Sequence, residues 1–165
     1  MSEHTVDFIQ QWDAEGRRFH YIHAAGRDID EMPGELKKRG IQVSDSEIRP
    51  YIDNMPVVMA AADLVICRAG ASTIGELTAL GKPAILVPSP FVAANHQYKN
   101  AKVLADRGGV ELSEEKECTG ESLYSVAMDL LSDGSRRAAM GRALKELAAP
   151  NAAQDIYENL MKLIK

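Results

Sequence analysis

The chain has 165 residues, the length of one ordinary domain, with 45% hydrophobic residues and a formal net charge of −5 at neutral pH. That charge, with no lysine/arginine block, argues against a nucleic-acid surface, and no apolar run approaches the ~18 residues of a membrane span. Cys67 and Cys118 are too few for a disulfide framework and suit a reducing compartment; no signal peptide is expected before Val6, and the expected location is cytoplasmic.

Val6-Asp-Phe-Ile-Gln-Gln-Trp12 carries apolar residues at helical spacing and predicts a first helix. Phe19-His-Tyr-Ile-His23 alternates, is rich in aromatic residues and ends at Ala25-Gly26, which predicts a strand. Asp28 to Arg39 is helical in composition with Gly40 as its stop, and Pro33 must lie near its first turn or interrupt it. Ile41-Gln-Val43 and Ile48-Arg-Pro-Tyr-Ile52 flank an Asp/Ser-rich turn; the second is expected to supply a strand. Asn54 to Ala62 predicts a short helix. Asp63-Leu-Val-Ile-Cys67 is an apolar run too short for an ordinary helix and reads as a buried strand.

A helix is expected to begin near Ser72-Thr73, and Ala84-Ile-Leu-Val87 to be the next parallel strand. Asn95 to Arg107 predicts a helix ended by Gly108-Gly109, and Val110-Glu-Leu112 a last short strand. Three helices should follow, at Gly120 to Leu131, Ser135 to Ala149 and Ala152 to Ile164. This alternation implies an α/β fold, a Rossmann-like doubly wound parallel sheet with helices on both faces and ligands beyond the carboxyl ends of its strands. There is no repeat and no low-complexity segment. Residues 1–165 read as one domain, with 151–165 a terminal helix set off at Pro150-Asn151. That helix carries Ile156, Leu160, Leu163 and Ile164 on one side, a stripe that drives self-association if left exposed.

The most informative stretch runs from Ile66 to Glu76, Ile-Cys-Arg-Ala-Gly-Ala-Ser-Thr-Ile-Gly-Glu, closed by Gly81-Lys82-Pro83. It reads as a strand, a small hydroxyl-rich turn and a helix start. A helix N-terminus carries about half a positive charge and several unpaired N–H groups, so such a turn can hold a phosphate. Glu76, one turn in, can reach back past the same turn, which suggests diphosphate on the amides and ribose hydroxyls on the acid. Three blander readings stay open on spacing alone. Thr73-Ile-Gly-Glu76 fits a capping box, Gly70 fits a turn glycine with positive φ, and Arg68 fits a surface ion pair. His4, His20 and His23 are not spaced as a metal site and are expected to be structural or surface residues.

Residues 67 to 88, Cys-Arg-Ala-Gly-Ala-Ser-Thr-Ile-Gly-Glu-Leu-Thr-Ala-Leu-Gly-Lys-Pro-Ala-Ile-Leu-Val-Pro, resemble the donor-nucleotide signature of glycosyltransferase family 28. Its peptidoglycan members transfer N-acetylglucosamine to lipid I to give lipid II. Tyr51-Ile-Asp-Asn-Met55 resembles the family segment before the helix that precedes the signature. Asn95-His-Gln-Tyr-Lys-Asn-Ala101 resembles the one that opens the helix after it. The resemblance runs from about Phe19 to the C-terminus and covers only the C-terminal, donor-binding half of a two-domain GT-B enzyme. It implies that the first strand and its Gly-rich loop are lacking, that the chain is a fragment inactive alone, and that the acceptor site and catalytic base lie on the other domain.

Carried over position by position, the resemblance assigns substrate-binding roles. The backbone of Ile52 would pair with the uracil edge. Amides of Ala71, Ser72 and Thr73, with the Thr73 hydroxyl, would hold the diphosphate, within a segment that continues through Ile74 and Gly75. Glu76 would accept from the ribose, and Gln97 would meet hydroxyls of N-acetylglucosamine. His96 stands where a second glutamine is expected, after a Ser89–Asn95 loop about one residue different in length, which bears on sugar specificity; otherwise it is a solvent-facing residue of a first helical turn. No residue takes a catalytic label, and neither a metal nor a cofactor is implied, the helix N-terminus supplying the field that an Asp-x-Asp metal clamp supplies elsewhere. The partners implied are UDP-N-acetylglucosamine, the lipid I acceptor through the other domain, and the cytoplasmic face of the membrane as a peripheral contact; no nucleic acid is expected. The alternatives are the donor half or split subunit of another GT-B UDP-sugar transferase, such as a glycolipid synthase, and a non-catalytic interaction module.

Overall fold

Ala84, Ile85, Leu86 and Val87 are almost wholly buried, and their side chains divide by strict alternation between two cores. Ile85 and Val87 join Ile9, Trp12, Leu123 and Leu130; Ala84 and Leu86 join Leu77, Ala101, Leu104 and Leu144. A continuous apolar run is what a parallel strand covered by helices on both faces requires.

The computed structural model describes residues 2–45 and 47–164, without the side chains of Ser2 and Glu3. In chain order the elements are α1 (Ser2–Ala14), β1 (His23–Ala24), a 3-10 turn (Gly26–Ile29), α2 (Met32–Lys38), β2 (Ile48–Arg49), α3 (Met55–Ala61), β3 (Val65–Cys67) and α4 (Ala71–Leu80). There follow β4 (Ala84–Leu86), a second 3-10 turn (Ala93–Asn95), α5 (His96–Asp106), β5 (Val110–Leu112), α6 (Gly120–Ser132), α7 (Gly134–Glu146) and α8 (Ala152–Leu163). All described pairing is parallel. β1 pairs with β2, His23 opposite Ile48, and a separate ladder runs β3-β4-β5, with Val65 opposite Ala84 and Ala84 opposite Val110.

The α/β class and the parallel pairing agree with the sequence reading; two local expectations are corrected and a third is borne out. The strand expected over Phe19–His23 is only His23–Ala24. Trp12 Nε1 donates to the Phe19 carbonyl at 2.8 Å, tying that residue to α1, and pairing with β2 begins only at His23. The helix expected from Asp28 to Arg39 breaks into the 3-10 turn and α2, with Pro33 in the first turn of α2, where its missing N–H is not needed. Of the two candidates around the Asp/Ser-rich turn, Ile48–Arg49 is the strand; Ser46 of that turn lies outside the described residues.

Packing places the carboxyl ends of the strands. α1 crosses α6 with Gly120 at the contact, where a Cβ would stand 2.6 Å from the His4 carbonyl oxygen and 2.6 Å from the Phe8 nitrogen. α4 meets α7 just as closely: a Cβ on Gly141 would lie 2.6 Å from the Gly81 oxygen. Gly81 itself ends α4 at φ 62°, the left-handed conformation that glycine adopts without steric cost. The C-terminal end of α4 and the turn into β4 are thereby held against α7.

Candidate functional site

α4 starts at Ala71, with Gly70 as its N-cap at φ −71° and ψ 148°. Gly70 is therefore extended and needs no left-handed freedom. What it lacks is a side chain able to occupy the helix's first amides, and no side chain caps this terminus. Ile74 N donates to the Gly70 carbonyl at 3.0 Å and closes the first turn, so the N–H groups of Ala71, Ser72 and Thr73 are left without a helical partner. Ala71 and Ser72 are exposed and Thr73 half-buried. The capping box at Thr73 and Glu76 does not form, because Thr73 is the helix's third residue and not its cap. Its hydroxyl sits over the terminus, 3.9 Å from where a Gly70 Cβ would be.

Glu76 is exposed on the next turn. Burial, and after it the Glu76 charge, pushes the Cys67 thiol up to about 12, so the carboxylate acts on the end of β3 and Cys67 is an un-ionised thiol near neutral pH. Gly75 is exposed and presents only main chain beside the turn. The Thr78 hydroxyl donates to the carbonyls of Ile74 (2.9 Å) and Gly75 (3.0 Å), so the free main-chain groups of this segment are the three N-terminal donors.

The adjacent strand end contributes a second set. After β4 the chain passes through the 3-10 turn, where Ala94 (φ 52°) and Asn95 (φ 50°) both adopt left-handed backbone. Two non-glycine residues in that region store strain of about 1–3 kcal/mol each, a pattern concentrated at functional turns. They deliver His96, exposed, and Gln97, half-buried, into the first turn of α5. Gln97 Oε1 accepts from Ser89 N at 2.9 Å, which fixes the side chain and leaves its two amide hydrogens to point elsewhere. Ile52 lies beyond the carboxyl end of β2; its side chain is buried, so only its main chain is offered.

Arg68 takes no part as a free cation. Both its terminal nitrogens donate to Glu115, at 2.7 Å each, and Nη1 also donates to the Val87 carbonyl at 3.1 Å. The guanidinium beside Glu115 holds that carboxyl below its ordinary range. This brace joins the ends of β3 and β4 to the segment after β5 and bears out the ion-pair reading of Arg68. Glu115 and Ser89 were not legible as site residues: their roles come from contacts 47 and 8 positions away with no motif between them. Phe91, in the same β4–α5 loop, leaves its ring 92% exposed. One Asp-x-Asp spacing does occur, Asp28-Ile29-Asp30, but it belongs to the 3-10 turn after β1, on the other ladder from α4. Among the described residues no three His, Cys, Asp or Glu side chains cluster as metal ligands, and no helix is long and apolar enough to cross a membrane.

The pattern of the glycosyltransferase family 28 C-terminal domain matches residues 3–156. Among curated proteins, the chain is 39% identical over 161 residues to a UDP-N-acetylglucosamine–N-acetylmuramyl-(pentapeptide) pyrophosphoryl-undecaprenol N-acetylglucosamine transferase of Bacillus cereus. It is 46% identical over 160 residues to the protein of the same description from Bacillus cytotoxicus. In both cases the match covers 97% of this chain and 43% of the relative, so the chain spans less than half the length of those proteins. The crystal structure of Acinetobacter baumannii MurG superposes with a TM-score of 0.81 at 26% identity, over 98% of this chain and 45% of that one. A UDP-N-acetylglucosamine 2-epimerase superposes at 0.65 with 15% identity over 96% of this chain and 40% of that one, a likeness of fold.

Proposed function

The chain belongs to the glycosyltransferase family 28 C-terminal domains, and on that premise we propose that it is the UDP-N-acetylglucosamine-binding half of the transferase that converts lipid I to lipid II. The observation that carries this reading is the uncapped N-terminus of α4, with three free amides, the Thr73 hydroxyl and Glu76 at the carboxyl end of β3. The diphosphate sits on the amides of Ala71, Ser72 and Thr73, where the helix dipole and the N–H groups act on the same charge. Glu76 accepts hydrogen bonds from the ribose, and the main chain of Ile52 meets the base. The free amide of Gln97, and His96 beside it, face the sugar hydroxyls.

The chemistry these residues supply is electrostatic. When the sugar leaves UDP, negative charge develops on the diphosphate, and donors already aimed at that position stabilise it without reorganising. Gly70 matters because a capping side chain would compete for those donors. The acceptor hydroxyl, its base and the contact with the cytoplasmic membrane face belong in this reading to the remainder of a longer enzyme, as the coverage of the relatives supports.

Titration calorimetry with UDP-N-acetylglucosamine, UDP-glucose, UDP and ADP tests the proposal. The expected result is uridine-selective binding, tighter for the N-acetyl sugar, weakened about ten- to a hundredfold in Glu76→Ala, equivalent to the ~1.5–3 kcal/mol of hydrogen bonds to a charged acceptor. Equal binding of ADP and UDP, or an unchanged affinity in Glu76→Ala, overturns it.

A further inference from the structure

The largest cavity among the described residues, about 670 Å³, fills the gap between β1 and β3 and is lined mainly by apolar side chains. A second cleft, of about 350 Å³, is of another kind. It lies at the amino ends of β3 and β4, where α7 crosses the end of α4, and Lys82, Arg137, Arg142 and Lys145 all line it. Among the described residues Asp63 is the one carboxylate on its wall. So many cations at one cleft run against a chain of net charge −5.

α7 brings three of the four there by spacing. Arg137, Gly141 and Lys145 stand four residues apart and share one face of the helix, with Arg142 beside them. Gly141 has no side chain, so this face settles against the Gly81 carbonyl and leaves its cations at the rim. The Lys145 stem lies over Gly81, its Cγ and Cε 2.7 Å from where a Cβ there would stand. Two of the four cations are pinned. Arg137 Nη1 donates to the Leu130 and Leu131 carbonyls at 2.6 Å each, and Lys82 Nζ to that of Ala60, at 3.0 Å, and that of Ala62. These bonds cap the ends of α6 and α3, and they leave Arg137 Nε and Nη2 and one Lys82 N–H unused. Arg142 and Lys145 are exposed and donate to no group among the described residues. Among those residues none of the four has a carboxylate within ion-pair distance, whereas Arg136, next along α7, is paired with Glu111.

We propose that this cleft binds a soluble, compact polyvalent phosphate, of which inorganic diphosphate is the simplest. Lys82 and Arg137, half-buried and with donors to spare, form a fixed floor; Arg142 and Lys145 close on the ligand from α7. Helix capping explains the first two but not the convergence of the second two on them. Guanidinium groups match the oxygens of phosphate, and a polyvalent anion satisfies several separated cations at once. The volume is that of a small-ligand pocket. Leu80 is the one large aliphatic side chain on the wall, so a lipid tail finds little to hold and a free anion fits better. The site is separate from the amino end of α4, because the ten residues of that helix, about 15 Å, lie between them.

The test is a titration of the whole chain with inorganic diphosphate, followed in amide spectra. The expected result is saturable shifts at Gly81, Lys82, Arg142 and Lys145 and at the Arg137 Nε–H, with affinity that falls as salt rises. Removing both exposed charges, Arg142→Gln with Lys145→Gln, should weaken that binding about tenfold or more, while Arg142→Lys with Lys145→Arg should keep most of it. Shifts confined to Ala71, Ser72 and Thr73 overturn the proposal and leave the nucleotide reading of α4 intact. An affinity that the paired glutamines do not change also overturns it. So does a response to vesicles of phosphatidylglycerol and phosphatidylcholine with none to diphosphate, which would make the ligand a lipid headgroup.

Discussion

Arg68 and Glu115 show how one pair of side chains organises the carboxyl end of the sheet. Glu115 is 16% exposed and Arg68 29%, and two parallel N–H···O bonds of 2.7 Å join them. Such charge-assisted, half-buried bonds contribute about 1.5–3 kcal/mol. Because Arg68 holds the Glu115 carboxyl below its ordinary value of 4.5 in the folded state, the pair's contribution is complete above that value and is lost as pH falls through the folded one. Acid unfolding of the native chain should therefore steepen as pH falls below about 4.5, and Glu115→Gln should flatten that limb while lowering stability at neutral pH by ~2 kcal/mol. Denaturant midpoints measured across this range check it; parallel curves for native chain and variant would mean that the pair is neutral. The sequence presented Arg68 as an open choice between ligand contact and ion pair. Nothing local could decide it, because the partner lies 47 positions away.

Gly70 teaches the converse. Its position between β3 and α4 was legible, but the reason for a glycine was not: the backbone is extended, and the residue acts through the cap it does not provide.

Elements were legible where their periodicity was complete. α6 has Leu123, Tyr124, Ala127 and Leu130 on its buried face, and β4 is apolar throughout, so both were located to within a residue or two. β1 was misjudged because alternation in Phe19–His23 reports side-chain burial, whereas a strand also needs a partner, and the only described partner is reached at His23. The α1–α6 crossing depends on Gly120, which sequence alone marked only as a helix start. A methyl group there meets the His4 carbonyl and the Phe8 nitrogen, main-chain atoms that cannot move aside as a side-chain tip can. Gly120→Ala should cost ~1–3 kcal/mol, the range for overpacking, although alanine favours the helix itself. Thermal unfolding of the variant checks this; a neutral or raised Tm would show that α1 can shift on α6. α8 buries none of its residues, and Ile156, Leu160, Leu163 and Ile164 are 61%, 52%, 83% and 76% exposed, so the apolar stripe expected from its sequence is present and uncovered.

Taken together, the elements place two regions apart from each other. The carboxyl ends of β3 and β4 carry the free amides of α4, Glu76 and the fixed side chain of Gln97, held by the Arg68–Glu115 brace. The gap between β1 and β3 has an apolar lining, and among the described residues no strand pairs across it. The first region was visible in the sequence because a strand, a small turn and a helix start are consecutive. Family membership comes from the match over residues 3–156, while the site assignments are carried over from the resemblance, and the uncapped start of α4 and the loop before α5 are compatible with them.

Backbone amide spectra recorded during titration with UDP put that assignment at risk. The expected result is that the largest shifts fall on Ala71, Ser72 and Thr73, accompanied by the side-chain amide of Gln97 only when the N-acetylglucosamine moiety is present. Shifts clustered on Ile22, Leu64 and Ile66 instead, with the start of α4 unmoved, would contradict it and place the nucleotide in the gap between the ladders.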